Sequence, residues 1–361
     1  MKYYHFTGIV LLIFTEILKY LFSNNPAWVE EFYSKGIYIV ISNFINLFSY
    51  VFIFPGLFLI PVLYLVFLVF VFKYKRSIYL KSIWIINSVG FLYFAFYMVW
   101  GFNYYRLPID NNWKYKSDSF TAKQLEIEYE ETTLKLLKIR NLLADTAVKV
   151  SINKNVLKDK VQIEMMQNNL RNWLRKNGFA LLSTFEIRSE LPKGFFLHFS
   201  TAGMYFPFSG EGNVDPGLHP LQYTSVMAHE MAHGYGFADE GTCNFLAFIC
   251  HHNDKNAWIS YSANLGYWRY LASNVRRISP NFFNRKINEI PTGLKLDLQE
   301  IKDYSNRYED WMPNWQYKIY DAYLKGQGIK EGMLNYNKVI GLVLAYKAAN
   351  PFIFEDSSLP K

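Results

Sequence analysis

The sequence predicts a mainly α-helical protein with a small β-sheet, in which N-terminal transmembrane helices lead into a water-facing domain. Three observations predict it. Apolar residues crowd the first hundred positions of a chain that is 51% hydrophobic and 19% aromatic. From Asp110 onward, Leu, Glu and Lys recur at helical spacing. Between residues 179 and 208 that spacing gives way to Pro192, Gly194 and alternating aromatic or β-branched residues, the pattern of short strands. A chain of 361 residues has room for a membrane part, residues 1–103, and a domain, residues 104–361.

The first span covers Gly8–Phe22, apolar apart from Glu16 and Lys19. The following Leu21-Phe22-Ser23-Asn24-Asn25 offers no small-x-small cleavage site, so it reads as an uncleaved span rather than a signal peptide. Ile37 to Phe72 carries no charge but is too long for one simple crossing. Ser42, Asn43 and Asn46 interrupt its first half, which predicts an interfacial or re-entrant helix near Ile37–Tyr50. A full span from about Ile53 to Phe72 follows, and a last one runs over Ile83–Gly101, with Trp84 and Trp100 as interface anchors. Lys73-Tyr74-Lys75-Arg76, continuing to Lys81, is strongly basic. By the positive-inside rule it lies in the cytoplasm of a cell (inner) membrane. Everything after about Asn103 then faces the periplasm or the cell exterior.

Thr121-Ala122-Lys123-Gln124 is a capping box opening a helix expected to reach about Val148, and a second amphipathic helix covers roughly Leu157–Asn177. The last expected strand is Gly203–Phe208. Glu211–Pro220, broken by Gly212, Pro216, Gly217 and Pro220, reads as a loop, and helices resume at about Tyr223. The net charge is +8, but the lysines of the C-terminal part are spread among acids with no basic stripe, so nucleic acid is not an expected partner. Cys243 and Cys250 lie seven apart in one expected helix, ~10 Å, too far for a disulfide.

The chemistry concentrates in His229-Glu230-Met231-Ala232-His233. Two imidazoles four apart on a helix share one face and can grip one zinc ion, while Glu230 can reach a metal-bound water. Gly234, Gly236, Asp239 and Glu240 follow at once, so this helix does not itself cross the bilayer. A third ligand is needed, and two acids stand side by side. Asp239 completes H-E-x-x-H-x-x-G-x-x-D through a glycine turn at Gly236. Glu240 opens the next helix, with Asn244 one turn on to steady a histidine from outside. Ligand geometry favours Glu240. The acid that does not bind has a role as helix cap.

Trp100-Gly101-Phe102-Asn103-Tyr104-Tyr105-Arg106, Tyr205 through Val214, and Ala228–His233 with Gly236-Phe237 continue into Glu240 and Asn244-Phe245-Leu246-Ala247. Together they resemble the bacterial membrane proteins grouped as domain of unknown function 3810, over almost the whole chain. The resemblance implies a three-span N-terminus, a zincin-like domain and a glutamate at position 240 as ligand. The family usually has a second acid and then an alanine where this chain has Thr242 and Cys243.

The expected function is a membrane-anchored zinc metallopeptidase with Glu230 as general base. Its partners are the lipid bilayer and a peptide or envelope-protein substrate. Two rivals stay open: a catalytically silent scaffold or sensor retaining the zinc site, and a zinc amidohydrolase acting on a cell-envelope amide. Gly203–Phe208 is expected at the cleft edge, where it can pair with an extended peptide. Tyr267, Tyr320 and Tyr336 are the candidate oxyanion donors. Glu211 either closes a turn or enters the cleft, and Asn213 forms a turn. His198, His219, His251 and His252 read as surface or packing residues.

Overall fold

The computed structural model describes residues 6–49, 54–117, 119–151, 155–180 and 185–351. Among the described residues three helices are long and apolar enough to cross a membrane: α1 (Thr7–Asn24), α4 (Gly56–Lys73) and α5 (Ile78–Val99). They match the expected spans in number and place, which marks the protein as membrane-associated. α5 begins before Ile83, where the Ser77 hydroxyl caps it, and the expected starting residue Ile53 of the second span lies outside the described residues.

α1 and α5 touch backbone to backbone. A Cβ on Gly90 would lie 2.1 Å from the Gly8 carbonyl oxygen, and Gly8 N donates to Asn87 Oδ1 at 2.8 Å. Small residues permit such an approach where lipid supplies no hydrophobic drive between helices. Lys19 and Glu16, the two charges of α1, pair at 3.1 Å, and Tyr93 of α5 bonds both. Gly90→Val is expected to force the two helices apart and lower the thermal unfolding temperature of the detergent-solubilised chain. An unchanged temperature would show that the contact carries no stability.

Between α1 and α4 the chain runs through α2 (Pro26–Trp28) and a π-helical stretch, Val29–Ile37, into α3 (Tyr38–Ser49). α3 covers the stretch where an interfacial or re-entrant helix is expected, and the expected end near Tyr50 lies outside the described residues. Tyr38, Ser42, Asn46 and Ser49 recur at helical spacing and are all buried, while Val40, Phe44 and Leu47 are exposed. Ser42 and Asn46, two of the three polar residues that interrupt the apolar run, therefore face protein, whereas Asn43 is exposed on the face that carries Val40, Phe44 and Leu47.

After a 3₁₀ turn at Gly101–Tyr105 the domain is mainly helical. α6 (Ala122–Arg140) opens on the expected capping box between Thr121 and Gln124. It ends at Arg140 rather than near Val148, because Arg140 turns its guanidinium onto the carbonyls of Asp145 and Val148 and the chain folds around it. α7 (Lys160–Lys176) begins from a short 3₁₀ turn, Val156–Lys158.

β1 (Ile187–Arg188), β2 (Gly203–Phe206) and β3 (Glu211–Val214) form a sheet of order β1-β3-β2. β3 is parallel to β1 and antiparallel to β2, with Met204 opposite Asn213. This corrects the reading of residues 211–220 as a loop: its first four residues are the buried central strand. Gly212 and Asn213, chosen as turn formers, sit there for another reason. A Cβ on Gly212 would lie 2.7 Å from the Ile187 side chain and 3.2 Å from Glu230 Cβ, so only glycine lets the helix behind approach the sheet.

That helix is α8 (Pro220–Gly234), followed by α9 (Glu240–Ile249) and α10 (Ala257–Ile278). Met227, Met231, Phe245, Leu246 and Leu271 are fully buried between them. α11 (Pro280–Glu289), α12 (Thr292–Ser305), α13 (Trp315–Gly326) and α14 (Lys338–Ala349) complete the shell. Cys243 and Cys250 are free thiols, as their spacing requires.

Candidate metal centre

The site is built where α8 meets α9. His229 and His233 project from one face of α8, one turn apart, with their Nε2 atoms 3.1 Å from each other. A turn at Gly236, which has φ +82°, reverses the chain and starts α9 so that Glu240 comes back to the imidazoles. Glu240 Oε2 lies 3.0 Å from His229 Nε2 and 3.4 Å from His233 Nε2. Asp239 turns away. Its carboxylate caps α9, accepting from Thr242 N at 2.7 Å, and its other oxygen accepts from Asn335 Nδ2 at 2.8 Å. Of the two adjacent acids, the structure brings Glu240 to the histidines and gives Asp239 to the helix cap. Thr242 adds its hydroxyl to that cap.

The hydrogen bonds behind the imidazoles set their tautomers. His229 Nδ1 is 2.8 Å from Asn244 Oδ1, and His233 Nδ1 is 2.8 Å from the Phe237 carbonyl oxygen. The Asn244 amide is oriented by its own donations to Tyr270 Oη and the Tyr336 carbonyl. Both Nδ1 atoms face acceptors, so each carries the proton, and both Nε2 atoms are lone-pair donors. Two lone pairs and a carboxylate oxygen thus converge, all within 4.8 Å of one another. Three such groups repel unless a cation or a proton sits among them. Their number, hardness and spacing fit zinc. Burial opposes charge on Glu240, yet the imidazoles of His233 and His229 hold its carboxyl well below the ordinary carboxylate range. Glu240 is the anionic member of the trio.

Glu230 lies beside them on α8 and is buried. Burial pushes its carboxyl above the usual range, while the two imidazoles and the Tyr205 backbone N–H pull it back. That N–H belongs to the free edge of β2. Asp215 N donates to the Ala202 carbonyl, so residues 202, 204 and 206 exchange bonds with β3, and Gly203 and Tyr205 turn their N–H and C=O groups outward. Among the described residues no strand covers this edge.

Of the three tyrosines, Tyr320 and Tyr336 reach the centre. Tyr320 Oη donates to Glu240 Oε1 at 2.5 Å, and the Tyr336 ring lies parallel to that of His229. Tyr267 instead turns its hydroxyl to Glu128 at 3.2 Å. Glu211 is not in the cleft. It is buried, pairs with Arg188 at 2.5 Å and accepts from Gly56 N at 2.7 Å, tying the start of α4 to the sheet. Asn213 is a strand residue, not a turn former. His219, His251 and His252 are buried packing residues, and His198 stacks on Trp311.

Sequence reasoning missed the support given by the membrane part. Trp100 Nε1 donates to the His233 carbonyl at 3.1 Å, and Tyr38 Oη donates to that of Gly234 at 2.7 Å. Arg106 holds the Gly236 carbonyl at 2.7 Å and pairs with Glu30 at 2.8 Å. The run Trp100–Arg106 carried that signal in its unusual density of polar and aromatic groups just after a span. Those of Trp100 to His233, Tyr38 to Gly234 and Arg106 to Glu30 join the two sides of residue 103. The span ends also wall the cavity over the centre, about 1190 Å³, into which Leu57, Phe96 and Trp100 project with Phe195 and Phe206 from the domain.

Fold and site together define a membrane-associated helical protein with a three-donor pocket of metal-site type. The chain belongs to the family described as "Protein of unknown function (DUF3810)", whose model matches residues 33–344. No curated protein and no solved structure gives a significant match.

Proposed function

We propose that this protein is a membrane-anchored, zincin-like metallopeptidase. The convergence of His229 Nε2, His233 Nε2 and Glu240 Oε2 as three electron-pair donors beside Glu230 carries the reading. These three side chains would hold zinc, which when bound would bring the pKa of a water towards about 7 and polarise a carbonyl. Glu230, whose carboxyl burial raises above the usual carboxylate range while the two imidazoles act against that, would take the proton of the attacking water and deliver it to the leaving amine. The Gly203 N–H and C=O and the Tyr205 C=O face outward, groups to which an extended peptide can pair, while the Tyr205 N–H is held by Glu230; this favours a peptide over other amides. Tyr320 and Tyr336 stand close enough to the carboxylate ligand to serve a developing oxyanion. The apolar cavity wall made by the span ends favours a substrate held near the bilayer, such as an envelope protein.

Metal analysis of the full chain purified in detergent tests the centre. About one zinc per chain is expected, lost in His233→Ala and Glu240→Ala and kept in Asp239→Ala. Zinc retained by Glu240→Ala would move the third ligand elsewhere, and a metal-free wild type would sink the peptidase reading.

The basic segment Lys73–Arg76 between α4 and α5 supports a cell-membrane location with the domain outside the cytoplasm. A reporter fused at the C-terminus is expected to report an external location; cytoplasmic behaviour would reverse the topology.

A further inference from the structure

Arg269 stands out among the charged groups of the cleft. It projects from α10 into the cavity over the metal centre, and it also lines a second cavity of about 800 Å³ that adjoins the first. Gln222 and Ser200 to Ala202 line both as well, so the two cavities meet at this point. Among the described residues Arg269 makes no hydrogen bond and no ion pair, whereas Arg106, Arg140 and Arg188 each have a carboxylate. Its surface meets water, yet protein surrounds it closely enough that burial lowers its pKa, with only Tyr270 acting against that. Asp310, on the wall of the second cavity, is already occupied by Ser200 Oγ and Met312 N. Arg269 is solvent-exposed within the cleft, so its guanidinium is hydrated and open to an incoming anion rather than committed to a protein carboxylate.

Its position relative to the centre is set by α8. Gln222 precedes His229 by two turns of that helix, ~10 Å. A peptide lying on the β2 edge and continuing past Gly203 would pass Ala202 and Ser200 to the point where Arg269 waits. At ~3.3 Å per residue that is about three residues from the bond at the metal.

We propose that Arg269 is a substrate-binding residue that takes a carboxylate, either a C-terminal carboxylate or a Glu or Asp side chain, about three residues from the scissile bond. The planar guanidinium offers a paired fork of donors suited to that group. This rests on reading the cavity as a peptide-cleaving site, and it adds a specificity for acidic peptides.

The test uses the full chain in detergent micelles, carrying Glu230→Gln to block turnover and loaded with zinc. Fluorescein-labelled nonapeptides are titrated by anisotropy. One set ends in a free carboxylate and has no acidic side chain, one is amidated and neutral, and one is amidated with a single Glu moved along the sequence. The neutral set is expected to bind about 10–100-fold more weakly than a carboxylate set, the range of a charge-assisted hydrogen bond. Whichever carboxylate set binds names the source. Arg269→Gln should erase the difference and Arg269→Lys should keep part of it, with zinc content unchanged in both. Equal binding of neutral and acidic peptides, discrimination that survives Arg269→Gln, or no binding at all would overturn the proposal. Cleavage by the wild-type chain is scored apart. Peptides bound with discrimination but left uncut would sink the peptidase reading and leave the carboxylate site. Peptides cut without regard to charge would do the reverse.

Discussion

Glu230→Gln is expected to lower peptide turnover about 10²–10⁴-fold, the range supplied by a positioned general base, while leaving the zinc content at the wild-type level. The reason lies in what Glu230 touches. Its carboxyl is buried beside Gly203 and faces the Tyr205 N–H, not the hydrogen bonds that hold the imidazoles. Those run from His229 to Asn244 and from His233 to the Phe237 carbonyl, and they stay intact when Glu230 becomes an amide of the same shape. Glutamine can still accept from the Tyr205 N–H but cannot take a proton from water. The variant therefore separates binding from chemistry, and it should trap substrate. Metal content and single-turnover hydrolysis, measured on the same preparation, read the two effects apart. Unchanged turnover would remove Glu230 from the mechanism. A loss of zinc would make it part of the metal site instead.

The site was legible where its chemistry follows from local spacing. His229, Glu230 and His233 sit on one helix, so the 3.6-residue repeat alone placed the histidines on one face. Glu240 was legible because it opens a helix whose next turn carries Asn244, and the structure brings both to the histidines while Asp239 caps α9. The three helices long and apolar enough to span were legible because their length and composition are read directly from the chain. What was not legible depends on contacts distant in sequence. β3 reads as turn residues because the demand on Gly212 comes from Glu230 and Ile187, not from its own neighbours. Glu211 reads as a loop acid because Arg188 and Gly56, which hold it, come from other parts of the chain. The grip of Tyr38 and Trp100 on the end of α8 joins residues more than 130 positions apart, and no periodicity reports such a bond. Arg269 belongs to the same group: its sequence context is an ordinary helix surface, and only the meeting of two cavities places it over the cleft.

The second large effect concerns the frame that holds α10, and with it Arg269 and Tyr270, against the centre. Asp297 of α12 is fully buried and joins three elements. Arg140 Nε of α6 lies 2.8 Å from its Oδ2, Tyr261 Oη of α10 donates to the same oxygen at 2.7 Å, and Val150 N donates to Oδ1 at 2.8 Å. Arg140 is equally buried, and a Cβ on Gly293 would lie 2.5 Å from its Nη2, so the guanidinium fills its space closely. Removing one member of a buried pair leaves the other charge without compensation, at a cost of ~3–5 kcal/mol. Asp297→Ala is therefore expected to destabilise the chain by about that much in chemical unfolding followed by tryptophan fluorescence in detergent. Arg140→Met with Asp297→Leu should recover most of the loss, because an apolar pair of similar volume needs no partner. The two results together assign the cost to the unpaired charge rather than to the lost bonds of Tyr261 and Val150. If the double variant is as unstable as Asp297→Ala alone, the lost hydrogen bonds carry the stability and the ion pair does not, those of Tyr261 and Val150 to Asp297 together with those of Arg140 to the Asp145 and Val148 carbonyls. A destabilised α10 also has a reading at the site. It should release Tyr270 from Asn244, and with it the orientation of the His229 ring, so zinc affinity is expected to fall in Asp297→Ala and to return in the double variant.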